Sequence, residues 1–153
     1  MEYEKTGVLD SRDLDLPSPG ALKRGVAISE CIQDIPCNPC VDACPFQAIK
    51  MKNLTDIPRI DYDTCTGCGK CVEVCPGLAL FVVKVMDSRA QVTLPYEFLP
   101  VPRRGDVVHV LDRRGEVRGE GKVFRVKKIN GGALITVEVK KDLGLEVRNI
   151  GII

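Results

Sequence analysis

No cysteine lies beyond residue 75 of this 153-residue chain, and only one histidine occurs anywhere in it. No apolar run approaches the ~18 residues of a membrane-spanning helix. The opening residues, MEYEKTGVLDSRDLDLP, are charged and lack the apolar stretch of a secretory signal. Clustering of all eight cysteines between Cys31 and Cys75 argues against a disulfide framework spread through a secreted fold. The expected setting is a reducing cytoplasm, where closely spaced cysteines bind metal or do redox chemistry. The single histidine, His109, sits in an apolar run and reads as an ordinary strand residue, with no second histidine to share a ligand or base role. Ser11, Ser18, Ser29 and Ser88 therefore have no histidine-based triad to join. No G-x-G-x-x-G fingerprint occurs. GEVRGEGKV (115–123) fails the phosphate-loop pattern, because Glu116 stands where its first glycine belongs and Val123 replaces its hydroxyl.

What is present falls into three sections. Residues 1–28 carry many charges and a breaker cluster at Pro17, Pro19 and Gly20, which predicts an extended arm. Residues 29–86 hold every cysteine. Residues 87–153 change texture to short β-rich runs: VVHVL (107–111), KVFRV (122–126) and ALITVEV (133–139). In the last of these Ile135, Val137 and Val139 share one face while Thr136 and Glu138 share the other, the period of a half-buried strand. Arg114-Gly115 and Asn130-Gly131-Gly132 are turn signals, so this section predicts a small barrel or sandwich, which limits exposed sheet edges. Residues 1–90 hold 10 Lys/Arg against 13 Asp/Glu, and residues 91–153 hold 12 against 8. The basic pairs Arg103-Arg104, Arg113-Arg114, Lys127-Lys128 and Lys140-Lys141 read as a solvated face or a docking surface. Tyr96, Phe98 and Phe124 are too few aromatics to favour nucleic-acid stacking.

The cysteine section repeats itself. A shift of 31 residues carries Cys37, Cys40, Cys44 and Pro45 onto Cys68, Cys71, Cys75 and Pro76, and Ala48-Ile49 onto Ala79-Leu80. Each copy reads as a loop, a short helix from about Val41 or Val72, and a strand in AIKM or ALFVV, with a further strand around Ile60. The section predicts a compact α+β unit of approximate two-fold symmetry around two metal centres.

The second copy, Cys65-x2-Cys68-x2-Cys71-x3-Cys75-Pro76, matches the run that binds [4Fe–4S] clusters in bacterial ferredoxins, whose fourth cysteine ligates the other cluster. Two residues between cysteines let a tight loop aim three thiolates at one cubane, and Gly67 and Gly69 suit such a loop. Pro76, with a fixed φ and no N–H, helps turn the chain after the cysteine that must face the other way. The expected ligand sets are Cys65, Cys68, Cys71 and Cys44 for one cluster, and Cys31, Cys37, Cys40 and Cys75 for the other. Zinc sites favour paired C-x2-C arms, which this pattern does not resemble. The first copy is stretched: a regular spacing would put a cysteine at position 34, where Asp34 stands. Either Cys31 reaches across IQDIP or Asp34 ligates, and a three-iron cluster is a third possibility. Thiolate suits iron–sulfur better than carboxylate, which favours Cys31. The unequal loops predict inequivalent clusters. Ile32, Ile35, Phe46, Ile49, Leu78, Leu80 and Phe81 are candidates for the apolar shell around them.

Residues 29–86 thus resemble the bacterial two-[4Fe–4S] ferredoxins, which implies a ferredoxin-like βαββαβ-type domain followed by the small all-β domain. In detail, SECIQDIPCNPCVDACP resembles the ferredoxin-like small subunits of FAD-dependent amino-acid and amine dehydrogenases, of the proline, hydroxyproline and sarcosine type. That resemblance implies a hetero-oligomer in which large flavoprotein subunits carry FAD and oxidise substrate. This chain would then relay single electrons and perform no catalysis by itself. A free ferredoxin-type carrier and a cluster-containing nucleic-acid-binding or sensing protein are the alternatives.

Overall fold

The computed structural model describes residues 1–153. The N-terminal section is less extended than its prolines suggest. It forms helix α1 (Glu2–Thr6), a single 3-10 turn at Ser11–Asp13 and helix α2 (Pro19–Arg24). Pro19 occupies the first turn of α2, where its missing N–H costs nothing, and the Ser18 hydroxyl accepts from the Ala21 N–H at 3.2 Å. The breaker cluster is therefore a helix start, and α2 buries Ala21 and Leu22. The chain then enters strand β1 (Val26–Ser29), whose first three residues are buried.

The 31-residue repeat is visible in the backbone. After β1 come helix α3 (Pro39–Ala43) and strand β2 (Ile49–Lys50), then strand β3 (Arg59–Ile60), helix α4 (Lys70–Val74) and strand β4 (Leu80–Val85). Each copy lends a strand to the other. β1 pairs antiparallel with β4, placing Ser29 opposite Leu80, and β2 pairs with β3, placing Ile49 opposite Ile60. The same shift of 31 maps one register onto the other. It also relates two non-glycine residues at positive φ, Gln47 (54°) and Leu78 (53°). Each closes a turn by donating its N–H at 3.3 Å to the carbonyl of Cys44 or Cys75.

Five further strands complete the molecule: β5 (Arg89–Tyr96), β6 (Val107–Leu111), β7 (Val117–Ile129), β8 (Gly132–Lys140) and β9 (Asn149–Ile152). They do not stand apart from the repeat. One antiparallel seven-stranded sheet runs β1-β4-β5-β8-β7-β6-β9, so residues 86 and 87 fall in the connection between two paired strands. The chain is an α+β protein dominated by this sheet. Pairing slips between Val123 and Arg125, leaving Phe124 unpaired, and again between Val110 and Leu111. Such bulges bend a strand and increase its twist, which lets the 13-residue β7 serve β8 and β6 as the sheet curls. Gly121 on β7 faces the crowded interior of that curl: a Cβ there would lie 2.8 Å from the side chains of both Val110 and Val137.

The sheet has two apolar faces. Val92, Leu94, Val110, Val123, Ile135 and Val137 belong to the larger core, inside the curl. Leu134 of β8 points the other way and joins Ala27, Ile49, Val72, Leu80 and Val82 in a second core, with Cys40 and Cys71. Thr93 and Thr136, both buried, hydrogen-bond to each other through their hydroxyls at 2.8 Å. No helix is long and apolar enough to cross a membrane.

Candidate metal centres

Helices α3 and α4 are one and a half turns long, so tertiary packing rather than propensity holds them. Pro39 starts α3, and Gly69, at φ 80°, precedes α4. Each helix carries one cysteine in its first turn, Cys40 or Cys71, and both are buried. Each ends on a cysteine with extended backbone, Cys44 or Cys75. The switch from helical to extended geometry, followed by Pro45 or Pro76, turns that last thiol away from the loop that precedes its own helix.

Two thiol-lined cavities result. One, of about 330 Å³, is bordered by Cys31, Cys37, Cys40 and Cys75, with Ile32, Ile35 and Leu80 on its walls. The other is a tighter cleft bordered by Cys44, Cys65, Cys68 and Cys71, with Phe46 and Ile49. Asp34 borders neither; it lies on a separate surface depression with Lys50, Asp56 and Arg59. Of the proposed apolar shell, Ile49, Leu80 and Phe81 are buried, whereas Ile32, Ile35, Phe46 and Leu78 remain more than a third exposed. Phe81 and Leu78 border neither cavity. Phe81 instead packs in the core inside the curl.

Backbone amides point at the sulfurs. The N–H groups of Ala48 and Ala79, again 31 residues apart, donate to Cys44 Sγ at 3.3 Å and Cys75 Sγ at 3.4 Å. Cys65 Sγ accepts from Ala27 at 3.3 Å and from Gly67 at 3.5 Å. The Ala27 bond shows why β1 belongs to this unit: an N–H of this edge strand ends on a thiol instead of on another strand. Gly67 has φ 71°, and a Cβ there would come within 2.6 Å of the Gly25 carbonyl oxygen, so the loop cannot approach β1 with any other residue in place.

Burial pushes the Cys40 thiol up to about 11, assisted by Cys75, Cys31 and Cys37. Burial pushes Cys71 up to about 12, with Cys65, Cys68 and Cys40 adding to the rise. Four crowded sulfurs resist becoming thiolates together unless a strongly positive group compensates them. The donor set fits iron–sulfur clusters: all eight cysteines are free thiols, and neither cavity is bordered by an imidazole. No three ligating side chains converge on one point as a single zinc ion requires. The larger cavity has room as it stands. The tighter one opens to solvent at Cys68, the one exposed cysteine.

The comparisons agree with this class of site. Residues 30–79 match the family described as a 4Fe-4S dicluster domain, about a third of the chain. The chain is 49% identical over 37 residues to one of the subunits of the Na(+)-translocating ferredoxin:NAD(+) oxidoreductase complex of Acetobacterium woodii, covering 24% of this chain and 11% of that protein. It is 42% identical over 45 residues to the ferredoxin-type protein NapF of Haemophilus influenzae, 28% of this chain and 26% of the relative. Over 47 residues it is 40% identical to the polyferredoxin-like subunit of the aliphatic sulfonate oxidoreductase of Pyrococcus furiosus, 31% and 27% of the two chains. The chain thus spans between a tenth and a little over a quarter of the length of these relatives. No solved structure gives a significant match.

His109 lies on β6 opposite Glu120 and Gly151, half-buried, and borders neither cavity. Of the basic pairs, Arg103-Arg104, Lys127-Lys128 and Lys140-Lys141 are exposed, as is Arg114, whereas the Arg113 side chain is only 9% exposed, beside Glu30 and Glu146. Sequence reasoning missed the ion pairing of Arg113. Its partners are 83 and 33 positions away, and no local signal marks it.

Proposed function

We propose that this chain is an electron-transfer subunit holding two [4Fe–4S] clusters. Cys31, Cys37, Cys40 and Cys75 hold one, and Cys65, Cys68, Cys71 and Cys44 hold the other. The observation that carries this reading is the pair of four-thiol cavities, each completed by a cysteine from the opposite repeat. Bound clusters supply one-electron oxidation and reduction. The chain holds each sulfur on a short helix or tight loop, donates backbone N–H bonds to sulfurs, and shields the buried thiols with Leu80, Ile49 and Val72. Cys40 and Cys71, one from each cavity, are buried in the same apolar core, which suits electron passage between the sites. Proton-transfer groups are not required.

The partner in this reading is a large flavoprotein dehydrogenase subunit carrying FAD, with the chain passing electrons from its flavin to another acceptor in the cytoplasm. The stretched loop of the first repeat supports it, as the feature on which the resemblance to such subunits rests. The relatives' names also include subunits of multi-subunit oxidoreductases. A second reading, a free carrier, draws on relatives whose names give a ferredoxin or a ferredoxin-type protein and no complex. Anaerobic purification from the native source decides between them. Co-purifying large subunits with stoichiometric flavin support the dehydrogenase complex. A lone protein with iron and sulfide but no flavin supports the carrier, and a chain without iron or sulfide removes both.

A further inference from the structure

Between the larger cavity and the core inside the curl lies a buried group of charges that the ligand assignment does not use. Glu30, the residue before Cys31, borders that cavity, and its side chain is only 7% exposed. One carboxylate oxygen accepts from Arg113 Nε and the other from Arg148 Nε, the latter at 2.6 Å. Both guanidinium groups are buried as deeply as the carboxylate between them. Arg113 also donates to the Leu145 carbonyl at 2.8 Å, and the partly exposed Glu146 lies 3.6 Å away. Arg148 donates to the carbonyls of Gly144 and Val147, and its guanidinium stands 5.0 Å above the Phe81 ring. Its Nη2 has no partner.

Formally the four charges cancel, two arginines against Glu30 and Glu146, but Glu146 is the solvated one. Two buried arginines face one buried carboxylate, and Glu146, open to solvent, offsets only part of the remainder. A partly compensated charge in a low-dielectric interior acts strongly over short distances. The tighter cavity has no charged residue on its walls. It relies instead on N–H···S bonds, three of those found going to its cysteines and one to Cys75. The two sites therefore differ in how negative charge is stabilised.

We propose that Arg148, held by Glu30 beside the cavity of Cys31, Cys37, Cys40 and Cys75, is a potential-setting residue that makes the group bound there easier to reduce. The sign follows from electrostatics: reduction adds one negative charge, and a fixed positive charge nearby favours the reduced form. Asp56, the other acid on that wall, is partly exposed, and its carboxylate accepts from the N–H groups of Lys52 and Asn53. It opposes the arginine in a better-solvated position.

The inference rests on the two-cluster reading, so iron and sulfide are first measured on the full-length wild-type protein. Absence of clusters there defeats that reading rather than this one. With both clusters present, dithionite titrations followed by electron paramagnetic resonance give two midpoints, assigned with Cys31→Ser and Cys68→Ser. In Arg148→Met the midpoint of the Cys31 site falls by at least tenfold in the one-electron equilibrium, about 59 mV, while the other midpoint stays in place. Arg148→Lys, which keeps the charge, recovers most of the loss. An unchanged midpoint, equal shifts at both sites, or a lysine variant no better than methionine overturns the proposal. If Arg148→Met does not load clusters, Arg113→Met removes the neighbouring charge, and the same selective fall is expected. Failure of both variants to load clusters makes the arginines structural and also overturns it.

Discussion

Cys31 and Asp34 compete for one role, and their surroundings separate them. Cys31 follows Glu30, whose N–H donates to the Ala79 carbonyl at 2.8 Å and whose carboxylate is held by two arginines. Its own N–H donates to the Ser29 hydroxyl at 3.3 Å. The thiol therefore hangs from a fixed strand end, and the five residues before Cys37 form an arch of which Ile32, Gln33 and Ile35 border the cavity. Asp34 sits on that arch, outside the cavity. We expect Cys31→Ala to remove one of two cluster signals, with iron content falling by about half. Asp34→Ala should leave both signals and the iron content as they are. Loss of a cluster in the aspartate variant alone would reverse the assignment.

Strand β8, like β1 and β4, contributes side chains to both cores. Its odd-numbered residues Ile135, Val137 and Val139 face the curl, as period-two alternation predicts. Alternation also predicts polar residues on the other face, yet Leu134 and Thr136 there are buried against β5 and the α4 region. Leu134 comes within about 3.9 Å of where a Cβ on Gly69 would be. Leu134→Ala should cost about 2–5 kcal/mol, the range for a buried leucine truncated where neighbours cannot collapse. Thermal unfolding of the loaded protein checks the loss, and the signal of the Cys68 site should broaden more than that of the Cys31 site. An equal effect on both sites would mean that β8 supports the repeat as a whole. Strand β5 escaped the sequence reading because RAQVTLPY contains Pro95. Proline is tolerated there because pairing with β4 ends at Thr93, and beyond it β5 has one neighbouring strand instead of two. β9 escaped because NIGI is short and carries a glycine.

At the scale of the molecule, the cluster-bearing repeat and the β-rich section share a sheet. Strand β4 pairs with β1 on one side and with β5 on the other, so a chain cut after residue 86 would leave an unpaired edge and uncover Phe81 and Val83. Glu30 would also lose both arginine partners, leaving a buried carboxylate unpaired, and breaking such a pair costs about 3–5 kcal/mol. Residues 1–86 expressed alone should therefore aggregate or bind clearly less iron than the full chain, measured as iron per polypeptide in the soluble fraction. A soluble fragment with full iron content would show that the repeat folds independently of β5–β9.

The eight cysteines and their 31-residue repeat were legible in the sequence, because cysteine spacing and tight-loop chemistry are local. Strand existence in 107–111 and 133–139 was legible for the same reason: side-chain alternation needs no distant partner. Tertiary structure alone decided that β1 is part of the repeat, that the β-rich section continues its sheet, and that Glu30 meets Arg113 and Arg148. Those contacts join residues 38 to 118 positions apart. No spacing rule reaches so far, since burial of a charge depends on which surfaces the folded chain brings together.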